Sequence, residues 1–537
     1  MQFVMTNFKD MCYNLLTDKQ SKDFHHRAIR YLQHETKKCK SCGKGYFAIG
    51  LSKNVRFGSS RWKKIGKYDQ AFINPGSVGD SKNTNVDEIE MMYRKSLYSL
   101  PESVSNSSRR KTTSYFSTGD VSSHMAKSEL SESQSGFVLF QRRPIHVNIL
   151  RTNSFSDFDF TDCKCLSILM SMYCEMLRHC KGIENVEKIF EVSIDYSYVC
   201  MESKNDVEAE NSLKLALELL ESPIFSEKYQ NWMIDLKRAK VYTILGQGKM
   251  NIKRDLQGAY KCFIKALVLY GFPFPRNLLK IKRQIKYESC KHWCRIYINS
   301  KIGTVNTDEE SEFCNNISEC LQNLSKLFVK RQMYHHAELA AIWALNKALD
   351  GGENFLNLCN AYAQMLTINN CVRRRNYTNY HERSAIKLTR LRRNFDKQEL
   401  EAIAWLMLSV FVGRFVASKL NLNLLELGRV IWQIGKTTHS FKILLQILPL
   451  MILFAIIFKL MPETVDILND FFIYSNDDVD GSGLFDYYCA CLILQLETGF
   501  SIESFKSCES FLLRSTFNFS LKDPSSRKRL AVILWLW

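Results

Sequence analysis

Proline and glycine are scarce: nine prolines and 23 glycines serve 537 residues. So few breakers leave little room for tight hairpins or short strands, whereas Leu, Lys, Glu, Ala and Met fill the chain from about residue 160 onward. A β-rich fold is thereby disfavoured and the later two-thirds are expected to be α-helical. The opening "MQFVMTNFKDMCYN" lacks both a basic n-region and a continuous apolar h-region. The 18 cysteines are accordingly read as reduced thiols of a cytoplasmic protein, not as a disulfide framework. Asn-x-Ser/Thr sequons such as Asn316 and Asn376 then carry no weight. Long apolar runs are also missing, with one partial exception. Ile443 to Phe458 is interrupted only by Gln446 and Pro449, but sixteen helical residues reach about 24 Å, short of the roughly 30 Å hydrocarbon core. A buried core helix is expected there, a membrane-associated helix being the alternative.

Charge is plentiful and unbalanced. Lys and Arg number 73 against 55 Asp and Glu, a net +18. That excess permits attraction to acidic proteins, nucleic acid or anionic membranes without selecting among them. The basic run "CVRRRNYTNYHERSAIKLTRLRRNF" has no interleaved aromatic platform, so a solvated helix face is expected and no nucleic-acid partner.

Three parts follow one another. Residues 1–48 contain a helical stretch, "DFHHRAIRYLQHET", with Ala28, Tyr31 and Leu32 on one face, followed by "CKSCGKG". Residues 49–148 read as a disordered basic linker; twelve serines fall between residues 101 and 136, too polar a composition to bury a core. Within it, "RRKTT" at Arg109 to Thr113 has the form of a basic-directed phosphorylation site or of plain linker. Residues 149–537 return to helical spacing, beginning near Cys163.

One pattern recurs in this last part. Ala259, Phe263 and Ala266 in "GAYKCFIKALVLYGFPFP" match Ala209, Leu213 and Ala216 in "AENSLKLALELLESP" and Ala341, Leu345 and Ala348 in "AIWALNKALDGG". Each is followed by a breaker, Pro273, Pro223 or Gly351. Small residues admit a neighbouring backbone and the large one fills the groove, as a helix stacked on its predecessor requires. Upstream, Tyr242, Leu245 and Gly246 in "VYTILGQG" have the look of the first helix of a tetratricopeptide unit. The fold class expected is all-α, a degenerate tetratricopeptide-like repeat array (an α-solenoid). The competing reading is an irregular helical domain.

Reactive constellations are few. "IGKTT" at 434–438 lacks the Gly a phosphate loop needs, because Val430 occupies that position. "NDDVDGSGLFDY" begins like a calcium loop, yet Tyr487 stands where a bidentate Glu is required. Cys39 and Cys42 have zinc-knuckle spacing with His25, His26 and His34 just upstream, but no second knuckle follows. Zinc at Cys39 and Cys42 and plain thiols both stay open.

Taken together, "HHRAIRYLQHETKKCKSCGKGYF", "KALVLYGFPFP", "AELAAIWALNKAL" and "MPETVDILNDFFIYSNDDVDGSG" resemble the C-terminal region of the bicarbonate-responsive soluble adenylyl cyclases, over about residues 1–50 and 145–537. The resemblance implies that residues 1–48 are the tail of an ATPase-like module and the remainder a tetratricopeptide-like region tied to cyclic AMP signalling. ATP and magnesium would belong to cyclase domains absent from this chain; no paired metal-binding aspartates, transition-state Arg or Walker loop can be assigned. The expectation is a noncatalytic, C-terminally shortened scaffold that binds protein partners, a cyclase chain among them. The alternative is part of an active cyclase whose catalytic domains lie elsewhere.

Overall fold

The computed structural model describes residues 11, 13–34, 164–297, 307–352, 354–372, 375–389, 397–417, 420, 422–476 and 482–516. Among them are 18 helices and no strand. Helix α1 (Asp18–His34) packs on α2 (Cys165–Ile183), the start of a continuous series. Thereafter helices fold back in pairs: α3 (Val186–Glu202) with α4 (Asp206–Leu220), then the short α5 (Pro223–Lys228), and α6 (Asn231–Asn251) with α7 (Leu256–Leu269). After α8 (Leu278–Tyr297) come α9 (Asp308–Lys330) with α10 (Tyr334–Asp350), and α11 (Phe355–Val372) with α12 (Arg375–Thr389). The last pairs are α13 (Lys397–Val416) with α14 (Leu422–Thr438), α15 (Phe441–Ile457) with α16 (Met461–Asn476), and α17 (Ser482–Thr498) with α18 (Phe505–Thr516). The first helix of each pair also touches the first helix of the next, α3 to α6 to α9 and on through α11, α13, α15 and α17.

Several of these helices end in the same way. Lys204, Gln332, His439 and Lys459 adopt left-handed backbone with φ of 60°, 61°, 51° and 56°. The next amide reaches back five residues, Asn205 to the Cys200 carbonyl at 2.9 Å, Met333 to Phe328 at 2.9 Å, Ser440 to Gly435 at 3.0 Å and Leu460 to Ala455 at 2.9 Å. That closure satisfies helix-end carbonyls and turns the chain sharply. After α7 the same turn uses Gly271, φ 72°. Caps begin several following helices: Asn205, Asp255 and Thr307 side chains accept the amides of Glu208, Gly258 and Glu310.

Between paired helices the close approach is made by glycine. The fully buried Phe263 ring lies against Gly246, where a Cβ would come within 2.7 Å of the ring. Ala259 and Ala266 are also fully buried, as are Ala341, Leu345 and Ala348; Ala209 and Leu213 are nearly so and Ala216 fully. Tyr242 packs on the same core as Phe263, and its hydroxyl accepts a 2.6 Å hydrogen bond from Lys265 Nζ. Leu245 points elsewhere, into the cluster of Leu213, Ala216 and Phe225. One helix thus serves both neighbours.

The face expected of α1 needs adjustment. On α1 the buried positions are His25 and Ile29, while Tyr31 is 62% exposed. The stripe is rotated toward the spacing 25, 29, 32, with Leu32 at its edge. Ala259 and Ala341 lie 82 positions apart because α8 is inserted between two pairs and pinned to α10. Arg295 of α8 pairs with Asp350 and donates to the Asn346 carbonyl at 3.0 Å, and Asn346 donates to Glu288 Oε2 at 2.7 Å. The apolar run forms α15, kept helical through Pro449, with Ile443 to Ala455 largely buried and Ile457 exposed. No helix among the described residues is long and apolar enough to cross a membrane. Cys39, Cys42, the Ser-rich stretch and "RRKTT" lie outside the described residues.

Phe263→Ala is expected to cost about 3 to 5 kcal/mol and Gly246→Ala roughly 1 to 3 kcal/mol, whereas the exposed Val268→Ala changes stability by less than about 0.5 kcal/mol. Denaturant unfolding measures all three. In the same assay Lys204→Gly and Lys459→Gly, which relieve left-handed backbone, are expected to stabilise by about 0.5 to 1 kcal/mol each.

Candidate functional site

The inner edges of three successive first helices bring charge together. On α9, Glu312, Glu319 and Lys326 recur every seven residues and so share one stripe of the helix. On α3, Glu191, Asp195 and Tyr198 occupy one face, and on α6, Lys237 and Lys240 do. Because α3 touches α6 and α6 touches α9, these stripes adjoin, and since the α6 lysines between them are buried while Glu191, Asp195, Glu319 and Lys326 reach solvent, the face they make is a recess with α6 as its floor. Lys240, buried in the floor, lies 3.8 Å from Glu312. Lys237 is 3% exposed and sits over the Phe190 and Tyr229 rings at 5.0 and 5.1 Å, a placement that favours its cation.

The recess holds charge that its own residues do not fully match. Among the described residues no ion-pair partner lies within 4 Å of Glu191, Asp195, Glu319, Lys326 or Lys330. Glu191, Lys326 and Lys330 are exposed and Asp195 and Glu319 half-buried, yet neighbouring side chains desolvate all five. Burial pushes the Asp195 carboxyl up to about 6, opposed by Lys240. It raises Glu319 against Lys240 and Lys326, and Glu191 against Lys237. The Lys237 amine is pushed down to about 8, again by burial. Desolvation also lowers Lys326, helped by Lys330 and by Lys442 of α15, and lowers Lys330, helped by Arg254. The carboxylates of the recess gather near Asp195 and Glu319, its unpaired ammonium groups near Lys326.

The residues singled out in the sequence lie elsewhere. Ala209, Leu213, Ala216, Tyr242, Leu245, Gly246, Ala259, Phe263, Ala266, Ala341, Leu345 and Ala348 form helix-to-helix packing and hold no reactive group. "IGKTT" is the last turn of α14, where the Thr438 hydroxyl donates to the Ile434 carbonyl and Lys436 pairs with Asp470. Tyr487, the misfit of the calcium-like loop, is 2% exposed in the core. Part of the basic run is also interior: His381 of α12 packs against His292 of α8, ring centroids 5.1 Å apart, and burial pushes them to about 3 and about 4. Among the described residues no group of three or more His, Cys, Asp or Glu side chains is placed to hold a metal ion.

The seven-residue repeat on α9 is the one signal of the recess that sequence reading passed over. No family model matches the chain, and no curated protein matches it.

Asp195 gives the recess a measurable signature. Its folded pKa is raised, so its contribution to stability is fully present below the unfolded value of 3.8 and is lost as pH rises through about 6. Asp195→Asn is therefore expected to stabilise the chain at pH 7.5 by roughly 1 to 3 kcal/mol, an advantage that shrinks by pH 5. Thermal melts of both proteins across that range check it.

Proposed function

We propose that the chain is a noncatalytic, tetratricopeptide-like helical-repeat scaffold whose recess on α3, α6 and α9 receives a segment of a partner protein. The observation that carries this reading is the set of accessible, desolvated and unpaired charges on α3 and α9, the two first helices that flank α6. Their desolvation is already incurred in the free protein, so a partner bringing complementary charges gains most of the attraction. The occupant is a polypeptide segment that sets a cationic side chain against Asp195 and Glu319 and a carboxylate against Lys326. Glu319 and Lys326 are seven residues apart on one helix, or about 10 Å. An extended segment spans that distance in roughly three residues.

The sequence resemblance to the C-terminal region of soluble adenylyl cyclases supports a place in cytoplasmic cyclic AMP signalling, with a cyclase chain as the first partner to test. The absence of any assignable ATP-cyclising motif supports a role without catalysis of its own. A photo-crosslinking residue at Tyr198, inside the recess, is expected to capture a co-expressed soluble cyclase chain, and one at Val268 is not. Asp195→Lys with Glu319→Lys should reduce that capture at least tenfold. Equal capture from both positions, or capture indifferent to the charge reversals, would overturn the recess as the binding site. The purified chain, given ATP, magnesium or manganese, and bicarbonate, is expected to form no more cyclic AMP than a heat-killed control. Turnover clearly above that control favours the alternative reading, an active cyclase fragment.

A further inference from the structure

A second arrangement stands apart from the recess, at the contact between α1 and α2. His25 of α1 and His179 of α2 meet Nδ1 to Nδ1 at 2.8 Å although they are 154 residues apart in the chain. His25 Nε2 lies 2.7 Å from the Tyr13 hydroxyl, which also meets Ser21 Oγ at 2.8 Å. The His25 ring rests on Gly182, where a Cβ would come within 2.2 Å of it, and only 7% of the residue is exposed. One turn further along α1, Ile29 enters the cluster of Leu169, Met172, Met176 and Cys180 on α2. The flanking ion pair, Lys22 with Glu184 at 2.9 Å, is largely exposed and contributes little. The histidine contact and Ile29 therefore hold α1 in place.

We propose that α1 is a cover on the first helix of the array that neutral histidines hold shut and acidification releases.

The proton inventory of the contact gives the direction. A bond between two Nδ1 atoms uses one proton: one nitrogen donates and the other offers its lone pair. A first added proton has a place, since His25 can donate from Nδ1 to His179 and from Nε2 to the Tyr13 oxygen. A second puts hydrogen on both facing nitrogens, which removes the acceptor and sets two cations against each other. The charged groups around the pair favour that repulsion. On α1 they are Asp18, Lys22, Asp23, His26 and Arg27; on α2 they are Glu175, Arg178 and Lys181, with Glu184 at its end. Asp23 pairs with Arg27, Glu175 with Arg178, and Glu184 with Lys22, so of the nearby carboxylates only Asp18 has no ion-pair partner among the described residues, and it acts on Lys22. Burial, with His26 adding to it, lowers the His25 pKa below its ordinary 6.5. By linkage, a lowered histidine pKa means that docking is favoured above 6.5 and weakens as pH falls below it.

Hydrogen exchange on the full chain, read as protection factors at pH 7.5 and 5.5, tests this. Residues 18–34 are expected to lose at least tenfold in protection on acidification, and the facing part of α2 to loosen with them, while α6 and α7 keep theirs. Gly182→Ala, which displaces the His25 ring without any titration, should leave α1 unprotected at both pH values. His179→Gln and His25→Gln keep a hydrogen-bonding group but cannot charge, so the variant that retains docking at pH 7.5 should change less than threefold between the two. His26→Gln removes only the lesser influence on His25 and should keep most of the parent's pH response. Equal protection of α1 at both pH values overturns the proposal, and so does a loss spread evenly from α2 to α18. Both glutamine variants keeping the parent's pH response would overturn it as well.

Discussion

The structure rests on how closely two helices can approach. Where one helix offers glycine the facing helix can seat a large side chain, and the pair closes around it. Gly246 and Phe263 make this contact between α6 and α7, Gly428 takes Phe411 and Met451 from two different helices, and Gly435 takes Leu444. A cavity or a clash at such a point propagates only to the adjacent helices, since each pair packs chiefly on its neighbours.

Interior polar groups then fix the register of the pairs. Ser318 donates to the Ala344 carbonyl at 2.8 Å, Ser325 to Ala337 at 2.9 Å, and Gln364 to Ser325 at 3.0 Å, tying α9 to α10 and α11. Asn357 donates to Asn315 at 2.6 Å and Gln322 to Asn357 at 2.6 Å. Such buried polar groups cost stability when left unmatched, so a shifted register is penalised at several points at once. The recess differs. There the mismatch is retained, on residues that still reach solvent.

Reading the sequence captured what is local and periodic. The Ala-x3-large-x2-Ala stripes are buried because helical spacing carries that information within a dozen residues. What it did not reveal is non-local or chemically disguised. The hairpin turns at Lys204, Gln332 and Lys459 use left-handed backbone without the glycine that normally marks it. Helix α8 breaks the repeat interval, and its anchoring through Arg295 and Asp350 joins residues 55 positions apart. Leu245 serves the preceding pair and not its own because an inner helix has two neighbours. The recess combines charges from three helices, none diagnostic alone, and the buried face of α1 is set by a partner helix far along the chain.

That distant partner has a kinetic consequence. From α2 onward nearly every contact joins helices adjacent or next-but-one in order, a low contact order that favours rapid, local folding. Helix α1 is the exception: it is the first of the described helices to leave the ribosome, and its seat is translated more than a hundred residues later. It must wait through that interval with His25 and Ile29 uncovered. Docking of α1 thus cannot begin until α2 has been made, and a second chain synthesised nearby offers the same seat to it in the meantime.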